Sequence, residues 1–177
     1  MSKNYTFNDY TFGKTTIRYV IMNDTKKVFM LLLPSNRINE VNDTYKTVNI
    51  DDDFSYNKDW IAGTLCYLHL SHHYLSPMSG SFKLSQSTYE MKFKSQQKSE
   101  DNEKTVIETI IESDEGYYVI HKVINFHGED GFEVECTFVN NTGNSVRLEM
   151  ITSATLDNLS PLNHDDDHSE DIYLHTF

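Results

Sequence analysis

Three short stretches of this chain concentrate side chains that could do chemistry. His164-Asp165-Asp166-Asp167-His168 sets two imidazoles around three carboxylates, a donor set that suits zinc or a harder cation. Neighbouring side chains on an extended segment point to opposite faces, however, so few of these groups can converge on one ion. No Gly supports a calcium loop there, and a solvated acidic loop accounts for the run. His72-His73 follows Cys66 and His69 closely enough to raise a Cys/His cluster. Its spacing fits no zinc motif, and one cysteine is too few for the usual structural sites. No metal site and no cofactor is therefore expected.

The third stretch runs Asp51-Asp52-Asp53-Phe54-Ser55-Tyr56-Asn57-Lys58-Asp59-Trp60 and contains the single tryptophan. Sugars offer C–H faces that pack on aromatic rings, and hydroxyls that bind carboxylates and amides, so this mixture suits a carbohydrate. The plainer account is that Phe54 and Trp60 anchor the loop in the core, since large aromatics are mostly buried. A G-x-S-x-G elbow, a P-loop and a dinucleotide fingerprint are all missing. Among 27 acidic residues a catalytic carboxylate pair could be drawn almost anywhere, so no catalytic residue is assigned.

The elements that must position these groups read as strands. Thr15 to Met22 and Val28 to Leu33 flank the turn Asn23-Asp24-Thr25, and Pro34 ends the second. Spacings of three and four among Ile38, Val41 and Tyr45 predict a short helix within residues 35–46. Residues 49–81 form a long connecting region, with short strands at Thr64 to Leu70 and Ser81 to Ser85. Tyr89 to Lys94 alternates, and Ser95 to Asn102 reads as a polar loop. Strands at Glu103 to Glu112 and Tyr117 to Phe126 follow, joined by Ser113-Asp114-Glu115-Gly116. After Gly128-Glu129-Asp130-Gly131, a hairpin from Gly131 to Ala154 turns at Asn140-Asn141-Thr142-Gly143-Asn144. Phe132, Val134, Cys136 and Phe138 form the buried row of its first strand, and Val146, Leu148 and Met150 that of its second. The fold class is all-β: an antiparallel β-sandwich with short helical or irregular insertions, forming a single domain over residues 1–177.

Composition bounds the partners. A net charge of −12 is repelled by phosphate backbones and anionic membrane surfaces, which leaves nucleic acid and membranes as poor partners. The first residues carry no apolar leader, and the longest apolar run, Val28 to Leu33, is far too short to span a bilayer. A cytoplasmic protein is expected. The last seven residues, Asp171 to Phe177, read as a strand without a polar tail, so the polypeptide is expected to continue in its native form.

One segment carries a family resemblance. Phe138-Val139-Asn140-Asn141-Thr142-Gly143-Asn144-Ser145-Val146-Arg147-Leu148-Glu149-Met150, running on through Ser153-Ala154-Thr155-Leu156-Asp157, resembles the amino-terminal domain of the α-galactosidases of glycoside hydrolase family 36. Gly116-Tyr117-Tyr118-Val119, the run Leu84 to Met91 and the closing Asp171-Ile172-Tyr173-Leu174 fit the same order. The likeness covers residues 80–177 well and the first 80 loosely. It implies a β-supersandwich that precedes a (β/α)₈ barrel bearing both catalytic Asp residues of a retaining enzyme. In the family the nucleophile follows a Lys-Trp-Asp signature; here Lys58-Asp59-Trp60 does not match it. Such a barrel needs about 250 residues, which this chain lacks.

The resemblance thus implies a non-catalytic domain of a longer glycoside hydrolase, missing its catalytic barrel and acting in domain packing and homo-oligomer assembly. α-Galactosides would be met only through the parent enzyme. Asp53, Phe54 and Trp60 are the substrate-rim candidates. The alternative is a free-standing carbohydrate-binding β-sandwich module.

Overall fold

Thr15–Met22 is a strand, as its alternation predicts, yet it is buried on both faces. A computed structural model describes residues 5–39, 64–73 and 85–155 and explains that burial. Strands β1 (Tyr5–Phe12), β2 (Thr15–Met22) and β3 (Val28–Pro34) form an antiparallel sheet with β2 in the middle. Ile17, Tyr19 and Ile21 point to the inner face of this sheet, together with Val28 and Met30 of β3. Val20 and Met22 point to the outer face and cluster with Phe29, Leu31 and Leu33. On that outer face Arg18, only 3% exposed, meets Asp9 directly across from it in the β1–β2 ladder. Its Nε and Nη2 donate to the two carboxylate oxygens at 2.8 and 2.7 Å, and its guanidinium lies 4.3 Å over the Phe7 ring. A buried guanidinium needs such a fork of acceptors to offset its lost hydration.

The second sheet is a four-stranded antiparallel meander: β5 (Lys92–Glu100), β6 (Lys104–Glu112), β7 (Tyr117–Phe126) and β8 (Glu133–Asn140). Thr105, Ile107, Thr109 and Ile111 of β6 and Tyr117, Val119, His121 and Val123 of β7 are buried on its inner face. These rows pack with the inner face of the first sheet and with Leu65, Cys66, Leu68, Leu70 and Met91 into one core. The chain is thus all-β and sandwich-like. Burying one such aliphatic side chain contributes about 1.5–3 kcal/mol, so this shared core is what holds the layers together.

A third, two-stranded sheet links the ends. β4 (Leu68–Leu70) pairs antiparallel with β9 (Leu148–Ile151). The pairing is lengthened at both ends by Thr152 N–H to Tyr67 O at 3.0 Å and Ser71 N–H to Arg147 O at 3.1 Å. The other edge of β4 is closed by side chains rather than by a strand. Helix α1 (Gln86–Tyr89) places Ser87 and Thr88 beside it. The Thr88 hydroxyl accepts from Leu68 N–H and donates to Leu68 C=O, both at 2.9 Å, while Ser87 Oγ accepts from Leu70 N–H at 3.0 Å. Two buried hydroxyls thereby stand in for a neighbouring strand and leave these backbone groups satisfied.

Several expectations change. β8 and β9 are not a hairpin: β8 pairs with β7, and β9 crosses to β4 in another sheet. Leu148, expected in a buried row, is 38% exposed. The polar run Ser95 to Glu100 is strand, not loop, because β5 is an edge strand with little to bury. Tyr89 ends helix α1, and the strand begins only at Lys92. β1 went unforeseen. Of the helix expected within 35–46, the described part is a 3₁₀ turn at Ser35–Arg37 that runs on into α-helix at Ile38 and Asn39. Asp53, Phe54 and Trp60, most of the 49–81 connection, all but Ser85 of the strand expected at 81–85 and the runs 164–168 and 171–177 lie outside the described residues. Among those described, no helix is long and apolar enough to cross a membrane.

Candidate metal centre

Two turns at one end of the sheets bring His72, His73 and Glu115 together. The first turn follows β4, where His73 N–H donates to Leu70 O at 3.0 Å and reverses the chain. In a turn, unlike a strand, consecutive side chains can share a side, and the His72 and His73 rings meet edge to face with centroids 4.2 Å apart. The second turn joins β6 to β7. Ser113 closes it twice, accepting Gly116 N–H at its carbonyl (3.2 Å) and Glu115 N–H at its hydroxyl (3.0 Å). Gly116 adopts φ +100°, a conformation that side-chain-bearing residues rarely take, and this lets the chain enter β7 directly after Glu115.

Glu115 Oε2 is 3.1 Å from His73 Nε2 and 3.7 Å from His72 Nε2. One donor atom from each of the three residues lies within 4.8 Å of the others. Their environments differ. The His73 side chain is 2% exposed, whereas those of His72 and Glu115 are 50% and 44% exposed. Ser87 Oγ, 2.9 Å from His73 Nδ1, fixes the buried ring, and the Tyr117 ring lies tilted 5.9 Å away. The cluster therefore has a rigid floor and an open mouth.

Ser87, His73 and Glu115 follow one another in the order of a nucleophile–base–acid relay. Ser87 is fully buried, however, and already accepts the Leu70 amide. A hydroxyl that no substrate can reach orients the imidazole and does not attack. What the arrangement offers chemically is two imidazole nitrogens and a carboxylate oxygen around a partly open position, a donor set for a divalent transition ion.

The sequence singles out His72-His73 but gives them no zinc spacing; the third member of the group, Glu115, is 42 residues from His73 in a turn that reads as mere punctuation. Cys66 and His69 do not join this group of three. Cys66 instead lies in the core beside Cys136, whose sulfur, together with burial, raises the Cys66 thiol well above its ordinary range. The rim candidates Asp53, Phe54 and Trp60 lie outside the described residues and are not placed relative to this cluster.

Compared with protein-family models, with curated proteins and with solved structures, the chain matches none.

Proposed function

We propose that this chain is a non-catalytic β-sandwich domain of an α-galactosidase-like glycoside hydrolase, serving domain packing and oligomer assembly. One observation carries the reading: the segment with the family resemblance is spent on scaffold. From Phe138 to Thr155 it leaves the four-stranded sheet, turns, and enters the two-stranded one as β9. Its Asn-rich turn bonds to itself. Asn140 Nδ2 donates to Asn144 O at 2.7 Å, and Asn140 Oδ1 accepts Thr142 N–H at 3.0 Å. Asn and Thr are needed here to hold a crossing between sheets, not to meet a substrate.

The His72–His73–Glu115 cluster supports the same division of labour. A retaining glycosidase needs two carboxyl groups about 5–5.5 Å apart. This cluster offers one carboxylate facing two imidazoles. On this reading the barrel with the reactive carboxylates belongs to the parent enzyme, and Asp53, Phe54 and Trp60 contribute to the rim of its sugar site.

The test is the native reading frame together with the isolated chain. A barrel bearing Lys-Trp-Asp, encoded in continuation of residue 177, and no α-galactoside turnover by the isolated chain would support the proposal. Turnover by the chain alone, or a frame without such a barrel, would overturn it. Saturable quenching of Trp60 fluorescence by galactosides in a chain without a barrel would favour the free-standing carbohydrate-binding module.

A further inference from the structure

We infer that His72, His73 and Glu115 form a binding site for a divalent transition ion of the zinc type, held by two imidazoles and one carboxylate with a solvent position open. The inference is independent of the glycoside-hydrolase reading.

The geometry is close to what such an ion requires. Zinc takes His nitrogens and carboxylate oxygens at about 2.0–2.2 Å, so two ligands of a tetrahedral site stand about 3.3 Å from each other. The Glu115–His73 and Glu115–His72 separations, 3.1 and 3.7 Å, bracket that distance. Magnesium and calcium prefer an all-oxygen shell, which two imidazoles do not provide.

The position of Ser87 adds a second, independent observation. A metal-bound histidine is normally held through its other ring nitrogen, which fixes the tautomer and the ring plane. Ser87 Oγ stands 2.9 Å from His73 Nδ1 inside the protein and is itself locked by Leu70 N–H at 3.0 Å. A hydroxyl oxygen has two acceptor positions. It can therefore take the Leu70 amide and an Nδ1 proton together, which leaves the Nε2 lone pair of His73 directed at Glu115 and at the ion between them. Without an ion, Ser87 Oγ and Glu115 Oε2 stand within hydrogen-bond distance of the two ring nitrogens, at 2.9 and 3.1 Å. The buried ring is held from both ends in this geometry, so loading needs no rearrangement of it.

His72 and Glu115 form the accessible side. Half-exposed, they can close on an ion arriving from solvent, and the chain's net charge of −12 favours the approach of cations. The bound ion would cross-link the turn after β4 to the β6–β7 turn.

The test uses the full 177-residue chain, freed of metal with a chelator and titrated with Zn²⁺ and with Co²⁺. One equivalent of Zn²⁺ should bind and raise the melting temperature, and Co²⁺ should give the visible spectrum of a low-coordinate N/O site. His72→Ala and Glu115→Gln change half-exposed side chains. Each should keep the circular dichroism of the parent and weaken binding at least about tenfold, as loss of a primary ligand demands. Ser87→Ala retains all three ligands and should weaken binding by about 10- to 100-fold, with the melting temperature of the metal-free variant showing how much of the loss comes from the unpaired Leu70 amide. A His164→Ala/His168→Ala chain should bind as the parent does. Unchanged affinity in both His72→Ala and Glu115→Gln, or binding lost only in the 164/168 variant, would overturn the proposal. So would the absence of stoichiometric binding by the parent chain at submillimolar Zn²⁺.

Discussion

Asn8 and Gln96 join the two large sheets: Asn8 Nδ2 of β1 donates to Gln96 Oε1 of β5 at 2.7 Å. The same oxygen accepts the Tyr10 hydroxyl at 3.0 Å, and Gln96 Nε2 donates to Thr109 Oγ1 at 2.8 Å. One amide at an edge strand thus bridges both layers and a neighbouring strand. Phe93 N–H adds a main-chain tie to Lys26 O at 2.6 Å, and the Lys27 ammonium lies 4.3 Å over the Tyr89 ring.

Gln96→Ala strands Asn8, Tyr10 and Thr109 together and should cost about 2–3 kcal/mol in urea-induced unfolding at neutral pH. Gln96→Glu keeps the acceptor for Asn8 and Tyr10, and Thr109 can donate to it, so its loss should be clearly smaller. Equal losses for the two variants would show that the amide packs and does not bridge.

The Asp9–Arg18 pair gives an asymmetric prediction. Asp9→Ala removes two charged acceptors from an almost fully buried guanidinium and should cost about 1.5–3 kcal/mol. Replacing both partners, Asp9→Leu with Arg18→Met, should recover most of that loss. A double variant as unstable as the single one would contradict this account.

His121 makes stability depend on pH. Its ring is wholly buried in β7, across from Thr109 and Cys136, with neither nitrogen hydrogen-bonded. Burial pushes its pKa from 6.5 down to about 4. The unfolded chain therefore binds a proton as pH falls through about 6.5, while the folded chain stays neutral until about 4, so stability falls with pH across that window. The loss should reach about 2 kcal/mol between pH 7.5 and 5. Exposed Glu100 and Asp101 are held below their usual values, Glu100 by Lys98 and Asp101 by the Glu103 and Lys104 amides, so what they contribute is present above the ordinary carboxylate range and lost only as pH falls below it. His121→Leu should remove the upper step and raise stability at neutral pH. Parallel pH profiles for the parent and this variant would refute the assignment.

The hydroxyl-capped edge of β4 is testable one atom at a time. Thr88→Val preserves shape but leaves the Leu68 amide and carbonyl unpaired, at a cost of about 2 kcal/mol or more. Hydrogen exchange at the Leu68 amide should accelerate by at least as much as global stability falls. Slower loss at that amide than at the β6–β7 ladder would argue against a direct role for the hydroxyl.

Much of the sandwich was legible because its central strands alternate. β7 was read to the residue from Tyr117 to Phe126, since its odd positions are buried and its even ones, Ile124 apart, are not. β1 was missed for a physical reason: its aromatics change phase at Asn8-Asp9, where one polar group faces Gln96 and the next faces Arg18. The edge strand β5 hid in a polar run for want of anything to bury. Alternation also gives the faces of a strand but never its partner, and this is how β8 and β9 were misread as a hairpin. The candidate site was half visible. His72 and His73 stood out by type, while Glu115 looked like one acid among 27 until the β6–β7 turn met the turn after β4.

The β4–β9 pairing orders the assembly in time. Each strand of the two large sheets pairs with a chain neighbour, so those sheets can zip from local contacts. Tyr67 and Thr152, by contrast, meet from 85 residues apart. Contacts of such separation carry the largest loop-closure entropy and are repaid late. By the same measure the short ladder closes after the local ladders of both meanders, alongside inter-sheet contacts such as Asn8–Gln96, 88 residues apart. Because His72 and His73 sit on the turn that ends β4, the trio with Glu115 is complete only in a chain that has finished folding.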